Sequence, residues 1–187
     1  MAVTDSPISI PMLVSRWRRL AHSSLLPSLL AGLLCFLGFA VTVWADTYGN
    51  APTHGKMTSP FGWRTHPVTQ KHQFHAGIDI AASTGDPIYV TQDGTVVFSG
   101  PYKGYGNVMV VQHAPNLFTL YGHCSQNLVQ PGQWVARGQV IGLVGSTGLS
   151  TGPHLHFEVH QNRQYVNPLA YLGWLNQVFP TQTASKP

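Results

Sequence analysis

The chain has 187 residues, ten Lys/Arg against six Asp/Glu, a net charge of +4 and only 9% charged side chains. That mild positive excess falls far short of the basic stripes of a nucleic-acid binder, though it favours an anionic polymer as partner. Once the N-terminal segment described next is set aside, the remainder suffices for one domain with a single core and not for two.

Residues 1–45 read as a targeting segment. Arg16, Arg18 and Arg19 form a basic cluster, and Leu29 to Val43 is apolar except for Thr42. The run is shorter than the roughly 20 residues that span a bilayer, and Val43-Trp44-Ala45 offers small residues at the two positions a signal peptidase reads. A cleaved signal peptide is expected, with export of everything after Ala45. An uncleaved anchor is the alternative, since counting back to Leu25 lengthens the run enough to span. Gly32-Leu33-Leu34 before Cys35 lacks the small residue expected next to a lipidated cysteine. Cys124 is then the only cysteine of the mature chain, so no intrachain disulfide forms there, and a small buried hydrophobe is its expected role.

Residues 46–57 are expected as a Gly/Pro/Thr/Asn linker, 58–175 as the domain and 176–187 as a tail. Within the domain, Pro87–Val90, Thr95–Ser99, Val108–His113, Phe118–His123, Val140–Val144 and His154–His160 are short β-branched or alternating runs and read as strands. Asp93-Gly94, Gly106-Asn107, Pro115-Asn116, Pro131-Gly132, Arg137-Gly138 and Gly152-Pro153 punctuate them. An all-β sandwich or barrel follows. The stretch Gly85 to Gly94 echoes Gly132 to Gly138, which suggests two similar hairpin units. Asn167 is placed to cap a short C-terminal helix begun by Pro168, with Leu169, Leu172 and Leu175 packing back.

Two pairs of residues carry the chemistry. In the alternating run from His154 to His160, His154 and His156 share one strand face while Leu155, Phe157 and Val159 take the other. Upstream, His75 and Asp79 project to one side of an extended segment in which the only intervening residue on that side is Gly77, without a side chain. Together the pairs supply neutral nitrogens and a carboxylate, a donor set suited to a catalytic zinc ion with an open fourth position.

Six blocks in order, Ser59-Pro-Phe-Gly-Trp-Arg64, His75-Ala-Gly-Ile-Asp79-Ile-Ala-Ala, Asp93-Gly-Thr-Val, Gly104-Tyr-Gly-Asn107, Tyr121-Gly-His123 and Gly145-Ser-Thr-Gly-Leu-Ser-Thr-Gly-Pro-His154-Leu-His156-Phe-Glu158-Val, closely resemble the lysostaphin-like or LytM-type zinc metallopeptidases. The resemblance runs from about Met57 to Leu172. It implies an antiparallel all-β fold of duplicated hairpin units with a substrate groove, and a zinc endopeptidase that cuts the peptide part of bacterial peptidoglycan. It also implies that His75, Asp79 and His156 hold Zn2+ and that His123 and His154 are catalytic. Cys124 departs from the family, which commonly carries an apolar residue such as leucine there.

Glu158 lies on the His154/His156 face but about 6.6 Å further along, so it suits an outer partner of a ligand ring better than a ligand. Tyr121 and Asn107 are candidates to line the groove, with ordinary strand and turn roles as the alternative. Arg64 reads as a buried or snorkelled structural arginine, with a substrate contact as the alternative. His54, His66, His72 and His113 are expected to be surface or structural, and His160 is the one to watch because it continues the ligand face. The expected partner is peptidoglycan peptide, with no nucleic acid, membrane contact only through the N-terminal segment, and a monomer. A non-catalytic regulator of other wall hydrolases is the rival reading. A lipoyl-type carrier, suggested by Gly132 to Gly142, fails because no lysine lies between Lys103 and Lys186.

Overall fold

The computed structural model describes residues 51–65 and 70–178. The expected signal segment, the first part of the expected linker, His66 and the end of the tail lie outside them.

Before the groove the chain runs β1 (Lys56–Ser59), β2 (Gly62–Thr65), β3 (His72–His75), β4 (Gly77–Ala81), β5 (Pro87–Tyr89) and β6 (Gly94–Pro101). A 3-10 turn at Lys103–Tyr105 leads to β7 (Asn107–Ala114), β8 (Leu117–Cys124), β9 (Gln126–Asn127), β10 (Trp134–Val135), β11 (Val140–Leu143), β12 (His154–Gln161), β13 (Gln164–Val166) and α1 (Pro168–Val178). The large sheet has the order β1-β4-β12-β8-β7-β6-β10, with β13 paired to β12. A smaller sheet runs β5-β11-β9, and β2-β3 form a separate hairpin. Every pairing is antiparallel, as expected from the short punctuated strands.

Alternation along the strands builds the core. Leu155, Phe157 and Val159 of β12 are buried with Ile78 and Ile80 of β4, Tyr121 of β8, Ile88 of β5 and Ile141 of β11, so one apolar cluster joins the two sheets. Each such side chain stabilises the fold by about 1.5–3 kcal/mol. The other face of β12 is left to His154, His156, Glu158 and His160. The two echoed segments interlock rather than stack: β10 pairs with β6 and β11 with β5.

Gly77 is a point of close approach. It pairs with Glu158, and a Cβ there would lie 2.3 Å from the Phe157 carbonyl oxygen. Its missing side chain therefore lets β4 seat against β12, which is a stronger requirement than leaving space for a ligand.

Two expectations need correction. The segment read as a linker belongs to the domain over its described residues: the Tyr89 N–H bonds to the Pro52 carbonyl at 2.8 Å, the Thr53 hydroxyl to the Pro87 carbonyl at 2.9 Å, and β1 pairs with β4. In α1, the Asn167 side chain accepts the Leu169 N–H at 3.0 Å, as a cap should. Leu175 is buried and Leu172 packs partly against the core, but Leu169 is 47% exposed. The buried stripe is Pro168, Tyr171 and Leu175, spaced three and four apart, and Leu169 sits about 100° around the helix from Pro168.

Candidate metal centre

The pairing of β4 with β12 sets His156 directly opposite Asp79. Their side chains meet with Nδ1 of His156 2.9 Å from Oδ1 of Asp79. His75, at the end of β3, brings its Nε2 to 3.1 Å from His156 Nδ1 and 3.2 Å from Asp79 Oδ1. These three donor atoms lie within 4.8 Å of one another, and all three residues are buried.

The outer bonds decide which ring nitrogens are free. His75 donates its Nδ1–H to the Pro60 carbonyl at 2.8 Å, and His156 donates its Nε2–H to Oε1 of Glu158 at 2.9 Å. In the neutral rings, the nitrogens facing Asp79 are therefore lone pairs. Three electron-pair donors converging with no proton among them call for a positive charge, so the residues fit a metal ion. The Arg64 guanidinium takes the other carboxylate oxygen, Nη2 to Oδ2 at 3.3 Å, which leaves Oδ1 for the cluster.

Proton affinities point the same way. For His156, burial favours the neutral ring, yet the bonds to Asp79 and Glu158 outweigh it and raise its pKa to about 9. Burial likewise opposes ionisation of Asp79 and Glu158, but with His156 protonated the hydrogen bonds it gives hold both well below the usual carboxylate range. The cluster thus holds a cation at its centre in either form, as a proton on His156 or as a metal. Glu158 is fully buried and serves three partners: His156, the Tyr105 hydroxyl at 2.8 Å and Nε2 of His160 at 2.6 Å. Its expected place outside the donor set matches this geometry, and His160 joins it there rather than among the three converging donors.

His154 and His123 stand beside the donors. His154 gives its Nδ1–H to the Gly152 carbonyl at 2.8 Å, and its Nε2 lies 3.7 Å from Asp79 Oδ1. His123 gives its Nδ1–H to the Thr147 carbonyl at 2.8 Å, with its ring centre 4.7 Å from that of His154 and 5.9 Å from that of His156. Burial and the neighbouring His156 pull the pKa of His123 down to about 4, so the ring is neutral at pH 7 with Nε2 free to accept a proton.

His123 reaches this position through a β-bulge. Asn107 pairs with Cys124 and Met109 with Tyr121, so Gly122 and His123 together oppose the single residue Val108. His123 takes a left-handed conformation, φ 61°, at a cost of about 1–2 kcal/mol for a residue with a Cβ. The bulge corrects the reading of Tyr121. In a regular strand Tyr121 and His123 would share a face, but the left-handed residue turns His123 to the groove while Tyr121 is fully buried in the core, its hydroxyl accepting from Thr119 at 2.9 Å. Asn107 also takes a structural place, with its amide donating to the Cys124 carbonyl at 3.2 Å. Burial pushes the Cys124 thiol up to about 12, which makes it inert.

Sequence reasoning missed the Arg64 to Asp79 pair, the Tyr105 to Glu158 bond and the Thr147 carbonyl. His72 stacks on Trp63, and His113 is held by the Asp93 carbonyl and Thr119, away from the cluster.

A two-sheet antiparallel domain with a buried His/Asp/His donor set beside two further histidines is the mark of a metallopeptidase fold. The model of Peptidase family M23 matches residues 73–168, just over half of the chain, and the chain belongs to that family. It is 47% identical over 115 residues to the DD-carboxypeptidase/endopeptidase Mpg of Neisseria meningitidis, covering 62% of this chain and 26% of that protein. It is 40% identical over 122 residues to the murein hydrolase activator NlpD of Escherichia coli, covering 65% and 30%. A zinc containing peptidase from Vibrio cholerae has a solved structure that matches with a TM-score of 0.60 at 40% identity, covering 64% of this chain and 38% of that one. The chain thus spans about a quarter to a third of the length of these curated relatives.

Proposed function

We propose that this protein is an exported zinc endopeptidase that hydrolyses peptide bonds in bacterial peptidoglycan, with His75, Asp79 and His156 as the metal ligands and His123 and His154 as the catalytic histidines. The observation that carries the reading is the proton assignment: each of these four histidines has one ring nitrogen committed to an outer carbonyl or carboxylate, so in the neutral ring the other nitrogen carries a lone pair. Zinc held there supplies an acidified water and a Lewis acid for the scissile carbonyl.

The protein's own residues do the rest. His123 and His154 orient the attacking water through their free nitrogens; one of them accepts its proton and in that form stabilises the charge that develops on the substrate, and the proton passes to the leaving amine. Glu158 locks the His156 ring, and Arg64 fixes Asp79. The names of Mpg and of the Vibrio cholerae peptidase support a peptidase, and the second supports zinc. The name of NlpD supports the rival reading, a regulator that binds peptidoglycan and activates another hydrolase.

Mass spectrometry of defined muropeptides before and after incubation with the zinc-loaded protein separates the two. Cleaved stem peptides or crosslinks are the expected result, and intact muropeptides in the presence of full zinc would establish the regulator. Export places the domain with its substrate, and N-terminal sequencing of the exported form should begin at Asp46. An intact N-terminus in the membrane fraction would establish the anchor instead.

A further inference from the structure

A bulge breaks the hydrogen-bond ladder and leaves backbone groups to be met by something else. At His123 that something is a single residue from a distant loop. Thr147 lies in the segment between β11 and β12, and it contacts the bulge at four atoms. Its carbonyl takes the His123 Nδ1–H at 2.8 Å. Its hydroxyl donates to the Cys124 carbonyl at 2.9 Å and accepts the Asn107 N–H at 3.0 Å. Its own N–H points to the His123 carbonyl at 3.5 Å.

Thr147 is itself clamped. Gly106 is left-handed, φ 64°, and a Cβ on it would lie 2.3 Å from the Thr147 hydroxyl oxygen and 2.4 Å from the Thr147 carbonyl carbon. The Leu149 N–H bonds to the Gly104 carbonyl at 2.7 Å. The 3-10 turn and the Thr147 loop are thus interlocked at backbone contact distance. The same turn carries Tyr105, whose hydroxyl reaches Glu158 behind His156.

We propose that Thr147 is a positioning residue for His123: it holds the left-handed bulge and commits Nδ1 as the donor, so that the Nε2 lone pair faces the metal centre. It acts through His123 and touches no reacting atom. Without its hydroxyl, the Asn107 N–H loses its acceptor and the Cys124 carbonyl keeps only the Asn107 amide. The bulge is then free to relax towards a regular strand, which turns His123 away from the groove.

The proposal rests on the peptidase reading only for its kinetic consequence. Its structural content is read from the His123 ring nitrogens by 15N NMR of the zinc-loaded full chain, assigned by comparison with His123→Ala. The unaltered protein should show the single Nδ1–H tautomer, and Thr147→Val a mixture of tautomers. Thr147→Ser, which keeps the hydroxyl, should restore the single form. With muropeptide substrate, Thr147→Val should lower kcat about tenfold or more while KM stays within about twofold and zinc content is unchanged, since small misplacements of a catalytic group act on turnover. Thr147→Ser should recover most of that loss. If Thr147→Val does not melt cooperatively, Asn107→Ser, which removes only the amide arm, should give a smaller loss of the same kind. A single Nδ1–H tautomer with unaltered kcat in Thr147→Val would overturn the proposal, as would equal losses in the Val and Ser variants. Should the protein hydrolyse no muropeptide at all, the tautomers alone decide.

Discussion

Asp79, His154 and His156 lie on β4 and β12, paired without a break, so each side chain follows from the two-residue period of a strand. His123 enters from β8, the other neighbour of β12, through a bulge and a left-handed residue held by a loop 24 positions away. On the regular wall Asp79 and His156 are buried and His156 is tied to the Glu158 carboxylate. On the other, His123 is strained and tied to the Thr147 carbonyl. Under the proposed function, the regular wall fixes a metal in a set geometry, and the strained wall presents a neutral base that must be aimed rather than coordinated.

Removing the metal should strike the regular wall hardest. A chelator is expected to abolish hydrolysis and lower the melting temperature, with both restored by added zinc, because a ion bound only by the folded chain stabilises it. Persistence of activity after metal is removed would break the distinction altogether.

The strained wall is tested next by His123→Ala. Turnover should fall by roughly two to four orders of magnitude with zinc retained, as for loss of a general base. Steady-state kinetics on a metal-loaded sample measures it.

A subtler change lies behind the ligands. Glu158→Gln keeps the size of the side chain but removes the charge that His156 and His160 share. Zinc affinity should drop about 10- to 100-fold in a competition titration, the usual effect of losing an outer partner of a ligand.

The smallest effect is in the pH dependence of the metal-free protein. Glu158 and Asp79 ionise more readily folded than unfolded, so their stabilisation is complete above the ordinary carboxylate range and fades as pH falls through and below it. His156 does the reverse: raised from 6.5 to about 9, its share is complete below 6.5 and is lost as pH rises from there through about 9. Thermal melts should therefore find the metal-free protein most stable in mildly acidic buffer, with a decline towards pH 9 that zinc removes by taking the place of the proton.

The contrast between the walls also explains what was legible in the sequence. The shared face of His154 and His156, the core face of Leu155, Phe157 and Val159, and the all-β architecture follow from alternation and turn residues, which are local. The same period left the groove and strand roles of Tyr121 both open, because nothing in Tyr121-Gly122-His123 announces a left-handed histidine; its cause, Thr147, is distant in sequence. The partners of Arg64 and Tyr105 escaped notice for the same reason, since Asp79 and Glu158 are brought to them only by the fold. Leu169 failed through phase: three leucines at helical spacing were visible, but which stripe faces the sheet is set by Tyr171 and Leu175.

The division of labour between the two walls is tested most directly by the zinc-to-protein ratio of His75→Ala and His123→Ala, purified side by side and measured by elemental analysis. His75→Ala should retain far less than one zinc per chain and His123→Ala about one, as three ligands make a catalytic-type site. Stoichiometric zinc in His75→Ala, or its loss from a folded His123→Ala, would contradict the assignment of His75 to the metal and His123 to the base.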